Sequence, residues 1–234
     1  IMHEALSETL GLRSFRRLSA LKVDPGKEIN DEAIDRPYVA WLDGADAHLL
    51  DDSSAQVDPH ELCTALMDAA VRSGHCTLRT GEECVDVLTS PTVTGSSGGG
   101  KNAADRMATG VRLASGEEIS CDQLVVALGP WSCLVEEWLG VPMPVEGIWS
   151  TSIIYEGASP AATALAAEPR ALFCSEDSRG CTLEVYPRPN GDVYVAGCGG
   201  ARLVTPETLR AGELPPAAII PDESRVSAAE RSLA

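Results

Sequence analysis

The chain has 234 residues, 44% of them hydrophobic, and 18 Lys plus Arg against 35 Asp plus Glu give a net charge of −17. This length and this composition are typical of a globular protein with a sizeable core. The acidic excess argues against nucleic acid or anionic lipid as a partner, because both would repel the chain. No apolar run reaches the roughly 18 residues that a membrane span needs, so we expect no membrane insertion.

The eight cysteines form no C-x-x-C pair, which argues against a structural zinc site. Most of them lie in apolar runs such as SCDQLVV and ALFCSE, where a reduced cysteine behaves as a small hydrophobe. No asparagine begins an N-x-[ST] glycosylation site, and the histidines show no metal-ligand spacing. We therefore expect a reducing, cytoplasmic location and no bound metal.

The first clear element is a helix in VDPHELCTALMDAAVRSG. Asp58 is a favourable N-cap, Pro59 suits the first helical position, and Glu61 stands where a capping box has its acidic residue. Gly74 is a natural C-terminal stop. An apolar stripe follows at helical spacing, formed by Leu62, Leu66 and Ala69 with Met67 and Ala70 beside it. Strand signals come next at 76–80 (CTLRT) and 83–89 (ECVDVLT), and then in TGVRLAS and EEISC.

The stretch TVTGSSGGGKNAAD, residues 92–105, matches the first seven places of a phosphate-binding loop and also the G-x-S-x-G pattern of a nucleophile elbow. A phosphate-binding loop needs Ser or Thr after its lysine to hold magnesium, whereas Asn102 follows Lys101. Gly and Ser in abundance generate such matches by chance. We interpret residues 94–102 as a flexible linker between two neighbouring strands.

The segment SCDQLVVALGPWSCLVEEWLG predicts a buried strand at 123–128, a break at Gly129-Pro130 and a helix through about Leu139. The apolar face of that helix would consist of Leu134, Val135, Trp138 and Leu139. A strand without polar alternation is covered on both faces, as in a parallel α/β sheet. Ligands of such sheets lie beyond the carboxyl ends of the strands, so a cofactor is expected next to Gly129.

From Pro142 onward the sequence favours antiparallel strands. GIWSTSIIYEG, RALFCS and CTLEVYPRPNGDVYVAGCGG are rich in β-branched and aromatic residues, and Asn190-Gly191 favours a tight hairpin turn. We predict an α/β part over 1–141, an antiparallel (α+β) part over 142–202, and a Pro/Glu/Ala-rich tail over 203–234 with a helix after Asp222.

Five motifs, in this order, carry a resemblance: D-P-x-x-L, C-T-L-R-T-G, G-V-R-L-A-S-G-E-E-I, D-Q-L-V-V-A-L-G-P-W and E-V-Y-P-R-P-N-G-D-V-Y-V-A-G. The chain resembles the FAD-dependent oxidoreductases of the D-amino-acid oxidase, glycine oxidase and sarcosine oxidase superfamily, over about residues 15–200. The residues of these motifs are most similar to those of a poorly characterised eukaryotic branch of this superfamily. The resemblance implies FAD as cofactor, a Rossmann-like FAD-binding part over 1–141 and a substrate domain over 142–202.

Two family elements are missing from the sequence. The G-x-G-x-x-G turn that holds the FAD pyrophosphate is absent, and AGCGGAR at 196–202 has Arg202 in place of the last glycine. The closing G-x-R-P segment, whose arginine binds a substrate carboxylate, is absent as well. We therefore expect an internal fragment with an incomplete FAD-binding part, which alone binds FAD weakly or not at all.

The resemblance assigns three sets of residues. Ala127, Leu128, Gly129, Pro130 and Trp131 match the strand end that approaches the cofactor, although a Gly-Pro break that merely ends a strand is the alternative. Cys84 or Val85 matches the position next to the adenine, with an ordinary strand core as the alternative. Tyr186 and Arg188 match the end of the strand above the flavin, where they would bind a substrate carboxylate; bracing of the hairpin is the alternative.

The sequence thus predicts an FAD-dependent oxidoreductase that oxidises an amine or amino-acid-like small molecule by hydride transfer to flavin. The competing hypothesis is a non-catalytic remnant or interaction module of the same fold that binds no flavin. Neither hypothesis fixes an oligomeric state or a catalytic residue.

Overall fold

The computed structural model describes residues 2–24, 46–91, 106–157, 167–214 and 218–233. The helices are α1 (Met2–Leu10), α2 (Pro59–Arg72), α3 (Val135–Leu139), α4 (Pro206–Arg210) and α5 (Glu223–Leu233), and a 3-10 helix spans Gly129–Leu134. The first seven strands are β1 (Arg16–Arg17), β2 (Ser19–Asp24), β3 (Asp46–Asp51), β4 (Ala55–Gln56), β5 (Cys84–Pro91), β6 (Arg106–Leu113) and β7 (Glu118–Ser120). The others are β8 (Gly147–Trp149), β9 (Ile153–Tyr155), β10 (Arg170–Cys174), β11 (Glu184–Pro187), β12 (Val193–Ala196) and β13 (Arg202–Val204). This mixed α/β composition agrees with the predicted fold class.

The chain forms two compact units, each built from separate stretches of sequence. Unit 1 comprises 1–78, 150–201 and 221–234, and unit 2 comprises 79–149 and 202–220. The two units are defined by which residues contact one another, whereas the boundaries predicted at 141 and 202 separate a cofactor-binding part from a substrate-binding part. Those boundaries therefore stay a prediction.

Unit 1 is built on a six-stranded sheet in the order β3-β2-β10-β11-β12-β9. The β2–β10 pair is parallel and the other neighbours are antiparallel. One face of this sheet carries the core, where Leu21, Val185 and Val195 are buried against Ala228 and Ala229 of α5. Since side chains alternate along a strand, Phe173, Glu184, Tyr186 and Tyr194 lie on the opposite face.

The β11–β12 hairpin and the helix after Asp222 are confirmed. Gly191 has φ 91°, its N–H donates to the Arg188 carbonyl, and Tyr186 pairs with Tyr194 across the two strands. In β11 half-buried and buried positions alternate, and in β12 the buried Val195 lies between the half-buried Tyr194 and Ala196, so Tyr186 and Tyr194 lie on the more accessible face.

Helix α2 begins as the sequence predicts. One oxygen of Asp58 accepts hydrogen bonds from the His60 and Glu61 N–H groups, which α2 itself leaves unpaired. The capping box does not close, because the Glu61 carboxylate accepts from the backbone N–H groups of Arg13 and Ser14 instead. The apolar stripe of the helix stays partly exposed, with Leu66 at 40% and Met67 at 38%.

Unit 2 contains the antiparallel sheet β5-β6-β7 and the antiparallel pair β8–β13. Cys133, Val204 and Leu209 form its small core, against which Trp131 and Trp149 pack. The linker predicted at 94–102 lies outside the described residues. Its flanks agree with a strand connection, since β5 and β6 are antiparallel neighbours with Pro91 opposite Arg106.

Two strand predictions are wrong. Residues 76–80 form no strand. Residues 123–128 are irregular and pair with no strand in the described part of the chain, and Val125 is 86% exposed. An apolar run becomes a buried strand only where neighbours pair with its backbone and cover both of its faces, and no described strand does so here. The 3-10 helix and α3 follow, as the break at Gly129-Pro130 predicts.

All eight cysteines lie among the described residues and are free thiols, with Cys133, Cys181 and Cys198 buried. No helix in the described ranges has the length and apolar character of a membrane span.

Candidate functional site

A cavity of about 450 Å³ opens on the accessible face of the β11–β12 hairpin in unit 1. Its walls come from the hairpin on one side and from the segment 55–58 on the other. The side chains in it that carry charge or an aromatic ring are Asp58, Glu184, Tyr186, Arg188 and Tyr194. Tyr186 and Arg188, which the sequence analysis assigned to substrate binding, thus line one cavity.

Three aromatic rings lie together on this accessible face of the sheet. The Tyr186 and Tyr194 rings are stacked with centroids 6.0 Å apart and an interplanar angle of 28°. Phe173 stands perpendicular to Tyr186 at 5.9 Å. The strand register causes this arrangement, because Tyr186 lies opposite Tyr194 and Phe173 lies opposite Glu184. Such contacts between rings add to the stability of the sheet and fix the orientation of each ring.

The Tyr186 hydroxyl donates a 2.5 Å hydrogen bond to Glu184 Oε2. Burial raises the pKa of Tyr186 and the Glu184 carboxylate raises it further, so the phenol keeps its proton and remains a donor. Glu184 and Tyr186 are two positions apart on one strand, and alternation puts both on the cavity side.

Arg188 is already engaged within the protein. Its Nη1 lies 3.0 Å from Asp58 Oδ2, and its guanidinium carbon lies 5.3 Å from the centroid of the Tyr194 ring. Asp58 Oδ1 is meanwhile occupied by the cap of α2. The pair therefore joins the hairpin to the start of α2, which agrees with the bracing role that the sequence analysis left open.

A larger hollow of about 760 Å³ adjoins this pair, lined by the first turns of α2 and the tip of the hairpin. Glu61 lines it, and its hydrogen bonds from Ser14 and from the Arg13 N–H lower the pKa of Glu61 to about 2. Within the described residues, no group of three or more His, Cys, Asp and Glu side chains is arranged to hold a metal ion.

The residues assigned to the cofactor lie in unit 2. Cys84 and Val85 begin β5, and Val85 is 39% exposed at an irregularity of the pairing with β6. Residues 127–131 lead from the unpaired apolar segment into the 3-10 helix, and α3, which follows that helix, packs against β5. Gly129 has φ 55°, and no heavy atom lies within 4 Å of the place where a Cβ would stand.

The family model of DAO, described as FAD dependent oxidoreductase, matches residues 4–226. The chain belongs to this family. FAD is the cofactor of the DAO family, and none of the curated proteins in the comparison matches the chain.

Solved flavoenzymes share the DAO fold. NikD, an amino acid oxidase essential for nikkomycin biosynthesis, matches with a TM-score of 0.59 and 15% identity over 96% of this chain and 58% of its own. L-Amino acid deaminase from Proteus myxofaciens matches with a TM-score of 0.53 and 15% identity over 90% of this chain and 47% of its own. The DAO chain described here thus spans about half the length of the solved structures that it matches.

In unit 2 the apolar segment before Gly129 pairs with no described strand, and the place of a Cβ at Gly129 is open. Three members of the cavity were not predicted from the sequence, namely Glu184, Tyr194 and Asp58, the partner of Arg188. Period-two alternation in EVYP, combined with the Asn-Gly hairpin, carried the signal for Glu184 and Tyr194, since both follow from Tyr186 facing the cavity.

Proposed function

We propose that this DAO-family protein is an FAD-dependent oxidoreductase that oxidises an amine or amino-acid-like substrate, with the cavity at Tyr186 as its substrate site. The observation that carries this proposal is the cavity itself, in which stacked rings, two carboxylates and a guanidinium converge on the accessible face of the sheet. A mostly apolar hollow with a few convergent polar groups is typical of small-molecule sites.

The chemistry that bound FAD would supply is that of a hydride acceptor for the carbon next to the substrate nitrogen. The backbone of Ala127–Trp131 and the start of β5 at Cys84 and Val85 would hold this cofactor. Tyr186 would orient the substrate through its hydroxyl, and the rings would exclude water from it. In a role toward a substrate carboxylate, Arg188 would share its guanidinium between that carboxylate and Asp58.

The experiment that tests the proposal measures flavin first and chemistry second. Flavin absorbance of the purified protein, supplemented with FAD, reports binding; anaerobic loss of the absorbance near 450 nm on adding amines or amino acids reports oxidation. If the natural protein is longer than these 234 residues, the longer protein is used. Bound flavin that a panel of amines reduces supports the proposal. A folded longer protein without flavin supports the non-catalytic alternative, whereas absence of flavin from the 234-residue chain alone is already expected from its incomplete FAD-binding part.

A substitution at Gly129 tests the cofactor residues separately. Gly129→Val should abolish most of the flavin content, because a branched side chain would fill the open space beside the backbone. Gly140→Val is the matched control, since Gly140 has φ 66° and equally open surroundings in the same unit. Both changes impose left-handed strain of about 1–2 kcal/mol. We expect the two variants to have equal thermal midpoints and only Gly129→Val to lose flavin. If Gly129→Val retains its flavin, residues 127–131 do not bind the cofactor.

A further inference from the structure

The charges that line the cavity at Tyr186 are two carboxylates, Asp58 and Glu184, and one guanidinium, Arg188. Arg188 and Asp58 compensate each other through their 3.0 Å contact. The uncompensated charge of the cavity is therefore the Glu184 carboxylate, and the lining carries one net negative charge.

Glu184 has no cationic partner in the described part of the chain. Its hydrogen bond comes from the neutral phenol of Tyr186, and its neighbours across the sheet are Phe173 and Ala196. The side chain is half-buried. A carboxylate in such a position loses hydration without gaining an ion pair, so a cation entering the cavity would lower its free energy.

The aromatic wall favours the same kind of ligand. The faces of Tyr186 and Tyr194 are attractive to cations, and Arg188 already lies over the Tyr194 ring at 5.3 Å. An anionic ligand would face Glu184 and would have to share the Arg188 guanidinium with Asp58. The lining thus disfavours carboxylates and favours ammonium groups.

We propose that Glu184 determines the specificity of this cavity by binding the ammonium head group of an alkyl or aryl amine, which packs its apolar part against Tyr186 and Tyr194. This inference rests on the proposed function in that the ligand is taken as the substrate. It adds the substrate class, a cationic amine in preference to a neutral or anionic analogue, and it names a specificity residue outside the pair first assigned.

The test compares three probes of similar shape, benzylammonium, benzyl alcohol and benzoate, by ligand-observed NMR titration at neutral pH and moderate ionic strength. No flavin turnover is needed. We expect benzylammonium to bind at least about ten-fold more tightly than benzyl alcohol, which corresponds to about 1.4 kcal/mol, and benzoate to bind most weakly. Benzoate binding most tightly in the unmodified protein would overturn the proposal before any variant is made.

Two variants locate the preference. Glu184→Gln, which keeps the size of the side chain, should reduce benzylammonium affinity about ten-fold and leave benzyl alcohol affinity unchanged. Glu156→Gln removes a charge from an exposed position of the same unit and should change neither. If a folded Glu184→Gln protein still prefers the ammonium probe, the preference arises from residues other than Glu184. Glu184→Asp keeps the charge and should preserve the preference, which separates loss of charge from loss of packing.

The outcomes also separate this inference from the proposed function. Ammonium selectivity that depends on Glu184, in a protein whose flavin no amine reduces, would refute the oxidase activity alone. Amines that reduce the flavin equally well with Glu184→Gln, with unchanged Michaelis constants, would refute the role of Glu184 alone.

Discussion

At the scale of single residues, glycines that look like a binding motif have a packing role. AGCGGAR at 196–202 is the glycine-rich stretch closest to a dinucleotide-binding turn. In the structure a Cβ at Gly197 would lie 1.9 Å from the Thr182 carbonyl oxygen, and Gly197 has φ 72°. Arg225 Nε donates to the Cys198 carbonyl at 2.8 Å and ties the same loop to α5. The glycines let two backbone segments approach closely, so they need no ligand to explain them.

This packing role predicts a large loss of stability for Gly197→Ala. Left-handed strain costs about 1–2 kcal/mol, and displacement of the backbone at Thr182 and Leu183 adds about 1–3 kcal/mol. Gly74→Ala is the matched control, because Gly74 has φ 76° but nothing within 4 Å of its Cβ position. Urea unfolding should show a loss at least about 1 kcal/mol greater for Gly197→Ala. Equal losses would mean that the close approach to Thr182 does not limit the side chain.

At the scale of elements, the sequence correctly predicted the features that depend on residues close together in the chain. The start of α2, the β11–β12 hairpin and the helix after Asp222 depend on caps and turn residues, and all three are confirmed. The strand predicted at 123–128 fails because pairing partners, which no local pattern encodes, decide whether an apolar run becomes a strand. Glu61 illustrates the same limit, since its partners at 13 and 14 are remote in sequence.

Glu61 should make the stability of unit 1 depend on pH. Hydrogen bonds from Ser14 and the Arg13 N–H lower the pKa of Glu61 from about 4.5 to about 2 in the folded protein. The ionised form is therefore favoured by folding, so its contribution is full above pH 4.5 and is lost as the pH falls toward 2. After allowance for solvent screening we expect about 1 kcal/mol. Urea unfolding between pH 6 and 3 should show a shallower loss for Glu61→Gln than for the unmodified protein; identical slopes would contradict the prediction.

The connection between β5 and β6 yields a second prediction at this scale. If residues 94–102 are a linker between antiparallel neighbours, replacing them with a short turn should change stability by less than about 1 kcal/mol, because loop entropy varies slowly with length. Lys101→Ala should leave flavin content and activity unchanged. Thermal unfolding and flavin absorbance check both points. If the unmodified protein binds a nucleoside triphosphate and Lys101→Ala does not, the phosphate-binding-loop interpretation is correct instead.

At the scale of the whole molecule, the motifs in their order predicted the family, and the match over residues 4–226 confirms it. The cavity could be predicted only in part. Tyr186 and Arg188 follow from the resemblance, but the Asp58–Arg188 contact joins positions 130 residues apart and depends on how α2 meets the hairpin. Likewise Glu184 acquires its proposed role because, among the described residues, no cationic side chain pairs with it, which only the assembled unit reveals.

Net charge is the other property of the whole molecule that predicts behaviour. At pH 7 the net charge is −17, so the excess carboxylates of the folded protein repel one another. Salt shortens the reach of this repulsion, from about 30 Å at 0.01 M to about 8 Å at 0.15 M. Raising sodium chloride over that range at pH 7 should therefore raise the thermal midpoint by roughly 2–4 °C, which corresponds to about 1 kcal/mol for a chain of this size. Near the isoelectric point of about 4.5 the repulsion vanishes, so the same salt step should leave the midpoint unchanged or lower it by screening ion pairs. A midpoint that falls with salt at pH 7 would show that the ion pairs outweigh the self-repulsion.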